Sequence, residues 1–259
     1  MKNKILKFML TCIAAISFQT CVNAGELKVY AIKYGISQFP EKFIFLNSKS
    51  NKTKNFSWMF YYIEFKDRKI LIDTGFNNQK FIKMFSVKNF IDPVKILKDN
   101  NITPESITDI IITHAHFDHI ENIHRFPNAR IIISLEEYNS LFNSRGNLDI
   151  KKKLSDKSQL IIFEDNYTLY DFFFIKKIGG HTKGSSVIFF DYNSKRFCLT
   201  GDEIYSLGNL TQNIGNGTVV DSAKNLNFIN NLKNSGDIPL IFHDDKYYDM
   251  PKNFIQIIP

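Results

Sequence analysis

The sequence contains few cysteines, and their positions limit how the protein can be stabilised. Three occur among 259 residues, and two of these, Cys12 and Cys21, lie within the first 24. The remainder of the chain holds Cys198 alone, which cannot form an internal disulfide. A disulfide-stabilised framework is therefore excluded for that part of the chain, even in an oxidising compartment. Because Cys198 lies between Phe197 and Leu199, we expect it to be an inert buried thiol.

The sequence also lacks internal repeats and long low-complexity linkers. Hydrophobic residues make up 44% of the chain and charged residues 23%, which is typical of a folded protein and not of a disordered one. A chain of this length can bury one sizeable α/β core. We therefore predict one domain over residues 25–259.

The apolar run at the start of the sequence, residues 8–18, is too short to span a bilayer permanently. It follows a lysine-rich start and precedes a polar segment that ends in Val22-Asn23-Ala24. This order is typical of a secretory signal peptide that is cleaved before Gly25. We predict that residues 1–24 are a signal peptide. The mature protein is then exported, periplasmic or secreted, with no stable membrane span.

A lipoprotein is the alternative outcome for the same segment. Cys21 would then be the acylated first residue of the mature chain. The preceding Phe18-Gln19-Thr20 matches poorly the small residues that such sites require, so cleavage after Ala24 is favoured.

Positive charge is less concentrated than the formal net charge of +7 suggests. Three of these charges belong to Lys2, Lys4 and Lys7 of the predicted signal peptide, and the other lysines are scattered along the chain. Nucleic-acid binding requires a basic stripe with interleaved aromatic residues, which the sequence lacks. We therefore expect no nucleic-acid partner.

The alternation of β-type and helical patterns predicts an α/β fold in which helices enclose the sheets. Residues 58–65 and 69–72 form a predicted hairpin that ends in the turn signal Asp73-Thr74-Gly75. Residues 28–56 are predicted to be either a lid or an extra strand. The other predicted strands are 109–113, 129–134, 172–178, 187–190, 196–200 and, as the final strand, 239–242. The predicted helices are 89–100, 135–142 and 224–232, and Thr103-Pro104 resembles a further helix start.

Histidines and carboxylates follow several of these strands. Three histidines and an aspartate, His114, His116, Asp118 and His119, fall within six residues directly after the strand at 109–113. Side chains of this type are good ligands for zinc-like metals. Later strands are followed by further candidates, which are His181, Asp202 and His243. Burying such a cluster without a metal would leave polar groups unpaired, so we predict a metal site. His124 is expected to be a surface or helix residue.

This pattern resembles the metallo-β-lactamase superfamily in its dinuclear hydrolase form. The resemblance extends from Asp73-Thr74-Gly75 to His243 and implies an αββα sandwich with the metals at one edge, between the sheets. It implies that His114, His116 and His181 bind the first metal, and that Asp118, His119 and His243 bind the second. By the same resemblance, Asp202 bridges two divalent ions, expected to be zinc.

Within the superfamily, the sequence is similar to the N-acyl-homoserine lactone hydrolases, the quorum-quenching lactonases. The likeness includes the stretch 113–138 and His243-Asp244, and Tyr205 matches a tyrosine that contacts the substrate in those enzymes. One departure is Glu121-Asn122, which stands where the family usually has two glycines. Glycine permits unusual φ values and close backbone approach, so this departure bears on the loop geometry and on the substrate preference.

The resemblance implies that a metal-bridging hydroxide attacks the carbonyl of a small-molecule lactone or ester. Tyr205 would either help to hold the oxyanion or be a surface or packing tyrosine. Asp118 would orient the hydroxide and protonate the leaving alkoxide. Asp73 is expected to brace the metal-bearing loops, and Phe117 to pack beside the site.

Several alternatives use the same ligands. One is a glyoxalase-type thioesterase or a phosphodiesterase, and another is a catalytically silent metal-binding protein. A β-lactamase is disfavoured because exported zinc β-lactamases generally lack the bridging carboxylate of Asp202. A flavodiiron protein is disfavoured because it would have an acid in place of His116. The motifs leave the acyl-chain preference, the native metal and the oligomeric state open.

Overall fold

The computed structural model describes residues 26–259. The predicted signal peptide, residues 1–24, lies outside this range. Among the described residues, none of the helices has the length and apolar character needed to cross a bilayer.

Two mixed sheets form the centre of the fold. The first has seven strands in the order β12-β1-β2-β3-β4-β5-β6, and the second has five in the order β11-β10-β9-β8-β7. The strands of the first sheet are β1 Leu27–Pro40, β2 Thr53–Phe65, β3 Arg68–Ile72, β4 Asp109–Ile111, β5 Arg130–Ser134, β6 Leu160–Phe163 and β12 Phe254–Ile258. Those of the second sheet are β7 Asn166–Leu169, β8 Phe173–Lys177, β9 Ser186–Tyr192, β10 Lys195–Leu199 and β11 Ile238–Leu240.

Eight α-helices and several 3-10 turns connect these strands within the described range. The helices are α1 Glu41–Ile44, α2 Gln79–Met84, α3 Pro93–Asp99, α4 Phe117–Ile120, α5 Leu135–Asn143, α6 Leu148–Ser155, α7 Leu207–Gln212 and α8 Ser222–Ser235. The predicted helices at 89–100, 135–142 and 224–232 correspond to α3, α5 and α8. Helix α3 begins later than predicted, because Asp92 caps the backbone N–H groups of Val94 and Lys95 and Pro93 occupies the first helical position. The predicted helix start at Thr103-Pro104 forms one 3-10 turn, Pro104–Ser106.

The hydrophobic core consists of three clusters of buried residues. Successive side chains of a strand point to opposite faces of its sheet and therefore belong to different clusters. In β4, Ile111 faces the core between the sheets, whereas Ile110 packs on the opposite side of the sheet. A third cluster lies between the second sheet and α8, where Cys198 is buried. Burial raises the pKa of the Cys198 thiol well above its ordinary value, so the thiol stays protonated, as expected of an inert residue. These layers confirm the predicted αββα sandwich.

The two ends of the described chain pair with each other, which corrects one prediction. Strand β1 pairs with both β2 and β12, so the segment at 28–56 contributes an extra strand, followed by the short helix α1. The prediction that 239–242 forms the final strand is wrong, since β12 follows it. The β1–β12 pairing joins residues more than 200 positions apart, as in Val29 with Ile258. Local sequence patterns carry no sign of such a contact.

Candidate metal centre

The predicted site residues lie on loops at one end of both sheets. After β4 the chain passes through His114 and His116, and the single-turn helix α4 then carries Asp118 and His119. The second sheet contributes the other three. His181 lies between β8 and β9, Asp202 lies in the 3-10 turn Gly201–Glu203 after β10, and His243 follows β11.

The structure brings all seven residues together in two groups. Their ligand atoms lie within 4.8 Å of one another in each group, and each group could hold a metal ion. In the first group, Nδ1 of His116 lies 3.0 Å from Nε2 of both His114 and His181. The first group is His114, His116, His181 and Asp202, and the second is Asp118, His119, Asp202 and His243. Each group therefore takes side chains from both sheets.

Asp202 belongs to both groups, and its two carboxylate oxygens point in different directions. Oδ2 lies 3.6 Å from Nε2 of His114 and 3.5 Å from Nε2 of His181. Oδ1 lies 3.2 Å from Nε2 of His119 and 3.1 Å from Nε2 of His243. One carboxylate thus faces both groups, as the sequence resemblance implied.

In four of the histidines, Nδ1 is the ring nitrogen that points away from the cluster, and a neighbouring oxygen holds it in place. Each Nδ1 lies within hydrogen-bond distance of an oxygen and is held by it, so that Nε2 faces the cluster. The pairs are His114 with Thr113 Oγ1 at 3.1 Å, His119 with Asp73 Oδ2 at 2.6 Å, His181 with the Thr218 carbonyl at 2.7 Å and His243 with the Ser57 carbonyl at 2.9 Å. His116 differs, because it is exposed and marks the side of the cluster that opens to solvent.

Asp73 braces the metal-bearing loops, as predicted. Its side chain is fully buried, and besides His119 it accepts hydrogen bonds from the Thr113 backbone N–H at 2.8 Å and the Thr113 hydroxyl at 2.7 Å. This carboxylate therefore connects the end of β3 to the histidine loop. It is not a member of either group of candidate ligands.

The electrostatics of the cluster suit a cation. Burial lowers the pKa of His181 to about 4 and that of His114 well below its ordinary value, so both rings are neutral and have lone pairs to share. Burial by itself would raise the pKa of Asp202. The neighbouring rings of His119 and His243 outweigh this effect and hold the pKa well below normal. His119 shows the opposite balance, since Asp202 and Asp118 raise its pKa well above normal despite its burial. The second group thus favours a positive charge.

Unpaired polar atoms provide an independent test of this fit. Nε2 of His119, Nε2 of His243 and Oδ1 of Asp202 are buried and, although Oδ1 lies 3.1–3.2 Å from both nitrogens, none of the three atoms forms a hydrogen bond of normal geometry. Leaving such atoms unpaired is costly unless another group satisfies them. All three point into the second group, where a divalent cation would satisfy them together.

Aromatic side chains cover one side of the cluster. Tyr205 lies with its ring centroid 5.7 Å from those of His181 and His243, and its hydroxyl accepts a hydrogen bond from Thr218 at 3.0 Å. Burial, followed by the charge of Asp202, raises the pKa of Tyr205 well above normal, so its hydroxyl keeps the proton. Phe56 stacks on His243 with centroids 4.1 Å apart. Tyr205 therefore lies beside the cluster.

The Glu121-Asn122 departure has a structural explanation. Glu121 has φ −56° and ψ −37°, ordinary helical values that do not require glycine. Its carboxylate accepts hydrogen bonds from the backbone N–H groups of Asn77 and Asn78, and Asn122 donates to the Thr74 carbonyl. These two side chains therefore support the loop after β3. His124 is exposed, as expected.

Sequence reasoning missed two buried glutamates beside the cluster. Glu137 and Glu203 both accept hydrogen bonds from the loop that carries His181. Glu203 directly follows Asp202 and resembles an ordinary turn residue. Glu137 lies in the predicted helix α5, where a glutamate is common on the exposed face. The signal that could have found them is their acidic character in otherwise buried segments, where a charge requires partners.

Comparison with known proteins agrees with this geometry. The model of the Metallo-beta-lactamase superfamily matches residues 59–239. A probable metallo-hydrolase from Methanocaldococcus jannaschii is 38% identical over 100 residues, which cover 38% of this chain and 40% of that protein. An N-acyl homoserine lactonase from a Bacillus species is 28% identical over 168 residues, which cover 60% of this chain and 66% of that enzyme. The matched region spans less than two thirds of the length of either relative.

Solved structures extend the likeness over most of the described chain. A dizinc quorum-quenching lactonase, solved in complex with the product N-hexanoyl-L-homoserine, superimposes with a TM-score of 0.66 at 21% identity. The superposition covers 90% of this chain and 95% of that one. At this identity the likeness shows the fold, and the family match spans more than half of the sequence. The chain therefore belongs to the metallo-β-lactamase superfamily.

Proposed function

We propose that the protein is a dinuclear zinc hydrolase that opens lactones or esters similar to N-acyl-homoserine lactones. The observation that carries this proposal is the orientation of Asp202, whose two oxygens face two separate groups of ligand atoms. The relatives named as N-acyl homoserine lactonases, and the dizinc lactonase of the same fold, support the choice of substrate and metal.

The two groups defined above would hold one ion each, with Asp202 shared. When bound, a pair of divalent ions makes a water molecule nucleophilic near neutral pH and polarises a carbonyl oxygen. The remaining steps belong to the chain itself. Burial by itself would raise the pKa of Asp118. The adjacent His119, and then His243, outweigh this effect and lower the pKa, so the carboxylate is ionised. An ionised carboxylate at this position can accept the proton that the attacking water loses and deliver it to the alkoxide oxygen that leaves the acyl carbon, which leaves Asp118 ionised again.

Partly exposed aromatic residues next to the cluster favour a substrate with an apolar acyl group. The ring of Phe117 stacks on Phe81 and Phe85, with centroids 4.0 and 5.3 Å apart. All three are partly exposed, and Phe117 lies within the histidine motif, between His116 and Asp118. An acyl chain laid against these rings would lose its contact with water, which favours binding. Phe117 thus packs beside the site, as expected.

Tyr205 is proposed to donate a hydrogen bond from its hydroxyl to the oxyanion that forms during attack. Tyr205→Phe removes this donor and is expected to lower kcat by about a hundredfold, with zinc content unchanged. Lactone hydrolysis and metal analysis of both proteins would measure this. Tyr138→Phe is the matched control, because the hydroxyl of Tyr138 contacts Lys157 and no residue of the cluster. Equal kcat values for Tyr205→Phe and wild type would show that Tyr205 is a packing residue.

The proposal is tested by supplying the zinc-loaded protein with lactone, thioester, phosphodiester and β-lactam substrates. We expect the highest kcat/KM for lactones with an apolar N-acyl chain. A clear preference for thioesters or phosphodiesters would replace the proposed substrate class. Absence of turnover on all four, with two zinc ions bound, would identify a catalytically silent metal-binding protein.

We also propose that the protein is exported and cleaved after Ala24. The support is the composition of residues 1–24, with its lysines, apolar run and compact residues before Gly25. Expression of the full chain in a Gram-negative host, with N-terminal sequencing of the periplasmic fraction, tests this. A mature N-terminus at Gly25 is expected, whereas an acylated Cys21 would support the lipoprotein alternative.

A further inference from the structure

Two buried glutamates hold the loop that carries His181, one from each side. Glu137 lies in α5, and Glu203 lies in the turn that also contains Asp202. Both are almost completely buried, with 3% and 0% of their surface exposed. Neither belongs to the two groups of candidate metal ligands.

Glu203 accepts hydrogen bonds from both ends of this loop. Oε1 receives the backbone N–H groups of Gly180 and His181, both at 3.0 Å, and the Ser185 hydroxyl at 2.5 Å. Oε2 receives the side-chain amide of Asn225 at 2.8 Å. All four partners are donors, so both oxygens of the carboxylate are required as acceptors.

Glu137 binds the middle of the loop in the same way. Oε1 accepts from the Thr182 hydroxyl at 2.6 Å and from the Gly184 backbone N–H at 2.9 Å. Oε2 accepts at 2.8 Å from the backbone N–H of Ala115, the residue between the first two histidines of the motif. Glu137 therefore connects the loop of the first sheet to the His181 loop of the second.

Two glycines in the His181 loop allow this close approach. A Cβ atom on Gly180 would overlap Oε2 of Glu203, and one on Gly184 would lie 2.8 Å from Cγ of Glu137. Glycine is therefore required at both positions while the glutamates stay in place.

We propose that Glu137 and Glu203 are positioning residues that set His181 against His114 and His116, and so determine how tightly the first group holds its ion. Both act through the backbone of the loop and contact no substrate. This inference rests on the metal centre of the proposed function and is independent of the substrate.

Glutamine is the informative substitution because it keeps the size of the side chain. Its amide nitrogen is a donor and must face another donor at either end, which breaks at least one contact. In Glu203→Gln and Glu137→Gln we expect the first group to bind zinc about tenfold to a hundredfold more weakly, a typical effect of losing support around a ligand. The zinc affinity of the second group should stay close to that of wild type.

Zinc titration followed by side-chain ¹⁵N NMR can measure the two groups separately, since the chain has only six histidines. We expect the signals of His116 and His181 to saturate at higher free zinc in both variants, while those of His119 and His243 follow wild type. Asp73→Asn is the matched comparison and should shift the response of His119 first, because Asp73 holds that ring.

Two milder variants keep the test decisive if a glutamine variant does not fold. Ser185→Ala removes one donor to Glu203, and Thr182→Val removes one donor to Glu137 without a change of charge. Each should weaken zinc binding at the first group in the same direction. Equal zinc affinities at both groups in the variants and in wild type would overturn the inference. A wild-type protein that takes up no zinc would instead contradict the proposed metal centre.

Discussion

Asp202→Asn is expected to lower kcat/KM by at least about a thousandfold, the largest loss predicted for a single substitution here. One oxygen of Asp202 becomes an amide group, which cannot donate a lone pair to an ion, so one of the two groups loses its shared ligand. Lewis-acid stabilisation of the transition state is worth several kcal/mol, and about 4 kcal/mol corresponds to a thousandfold change in rate. Steady-state kinetics on the preferred lactone, together with zinc analysis, would measure both effects.

The exposed Asp191 in β9 provides a control for this experiment. Asp191→Asn changes the net charge equally but lies outside both groups of candidate ligands, so its kcat/KM should match wild type. If Asp202→Asn retained two zinc ions and full turnover, the dinuclear centre would be wrong.

Removal of zinc by a chelator is expected to lower Tm by about 15 °C or more. At a free zinc concentration of about a thousand times Kd, each ion bound only to the folded state stabilises it by about 4 kcal/mol. For a chain of this size, 1 kcal/mol shifts Tm by about 2–4 °C. The buried carboxylates and unpaired atoms of the cluster supply the physical reason, because an ion neutralises the first and satisfies the second.

Calorimetry or circular dichroism with and without chelator would measure this shift, and added zinc should restore it. Asp202→Asn should show a smaller difference between its two forms, since it holds fewer ions. A Tm that does not respond to chelator, in a protein shown to lose its zinc, would mean that the cluster gains no stability from metal.

The four residues of the histidine motif were predictable because their signal is local, and His181, Asp202 and His243 were candidates because each follows a predicted strand. His114, His116, Asp118 and His119 follow one buried strand at short spacing, and the ends of neighbouring strands meet at one edge of a sheet. The hairpin of β2 and β3 was predictable for the same reason, since its strands are adjacent in the chain.

Features that depend on distant contacts were not predictable in this way. The pairing of β1 with β12 joins the two ends of the described chain, and nothing within 254–258 indicates its partner. Glu203 has no pattern that separates it from an ordinary turn residue, and its role emerges only when the His181 loop packs against it. Glu121 shows the limit of a resemblance. Where the family pattern favours a glycine, this chain has a glutamate whose carboxylate accepts hydrogen bonds from another loop.

Each group of ligand atoms combines side chains from both sheets, so bound ions would act as crosslinks between the two halves of the sandwich. Pulling the halves apart would then require coordinate bonds to break, in addition to the separation of a hydrophobic interface. A translocase that moves the chain through a narrow pore in extended form would have to break these bonds in the metal-bound protein. Any such transport would therefore have to come before the ions are taken up.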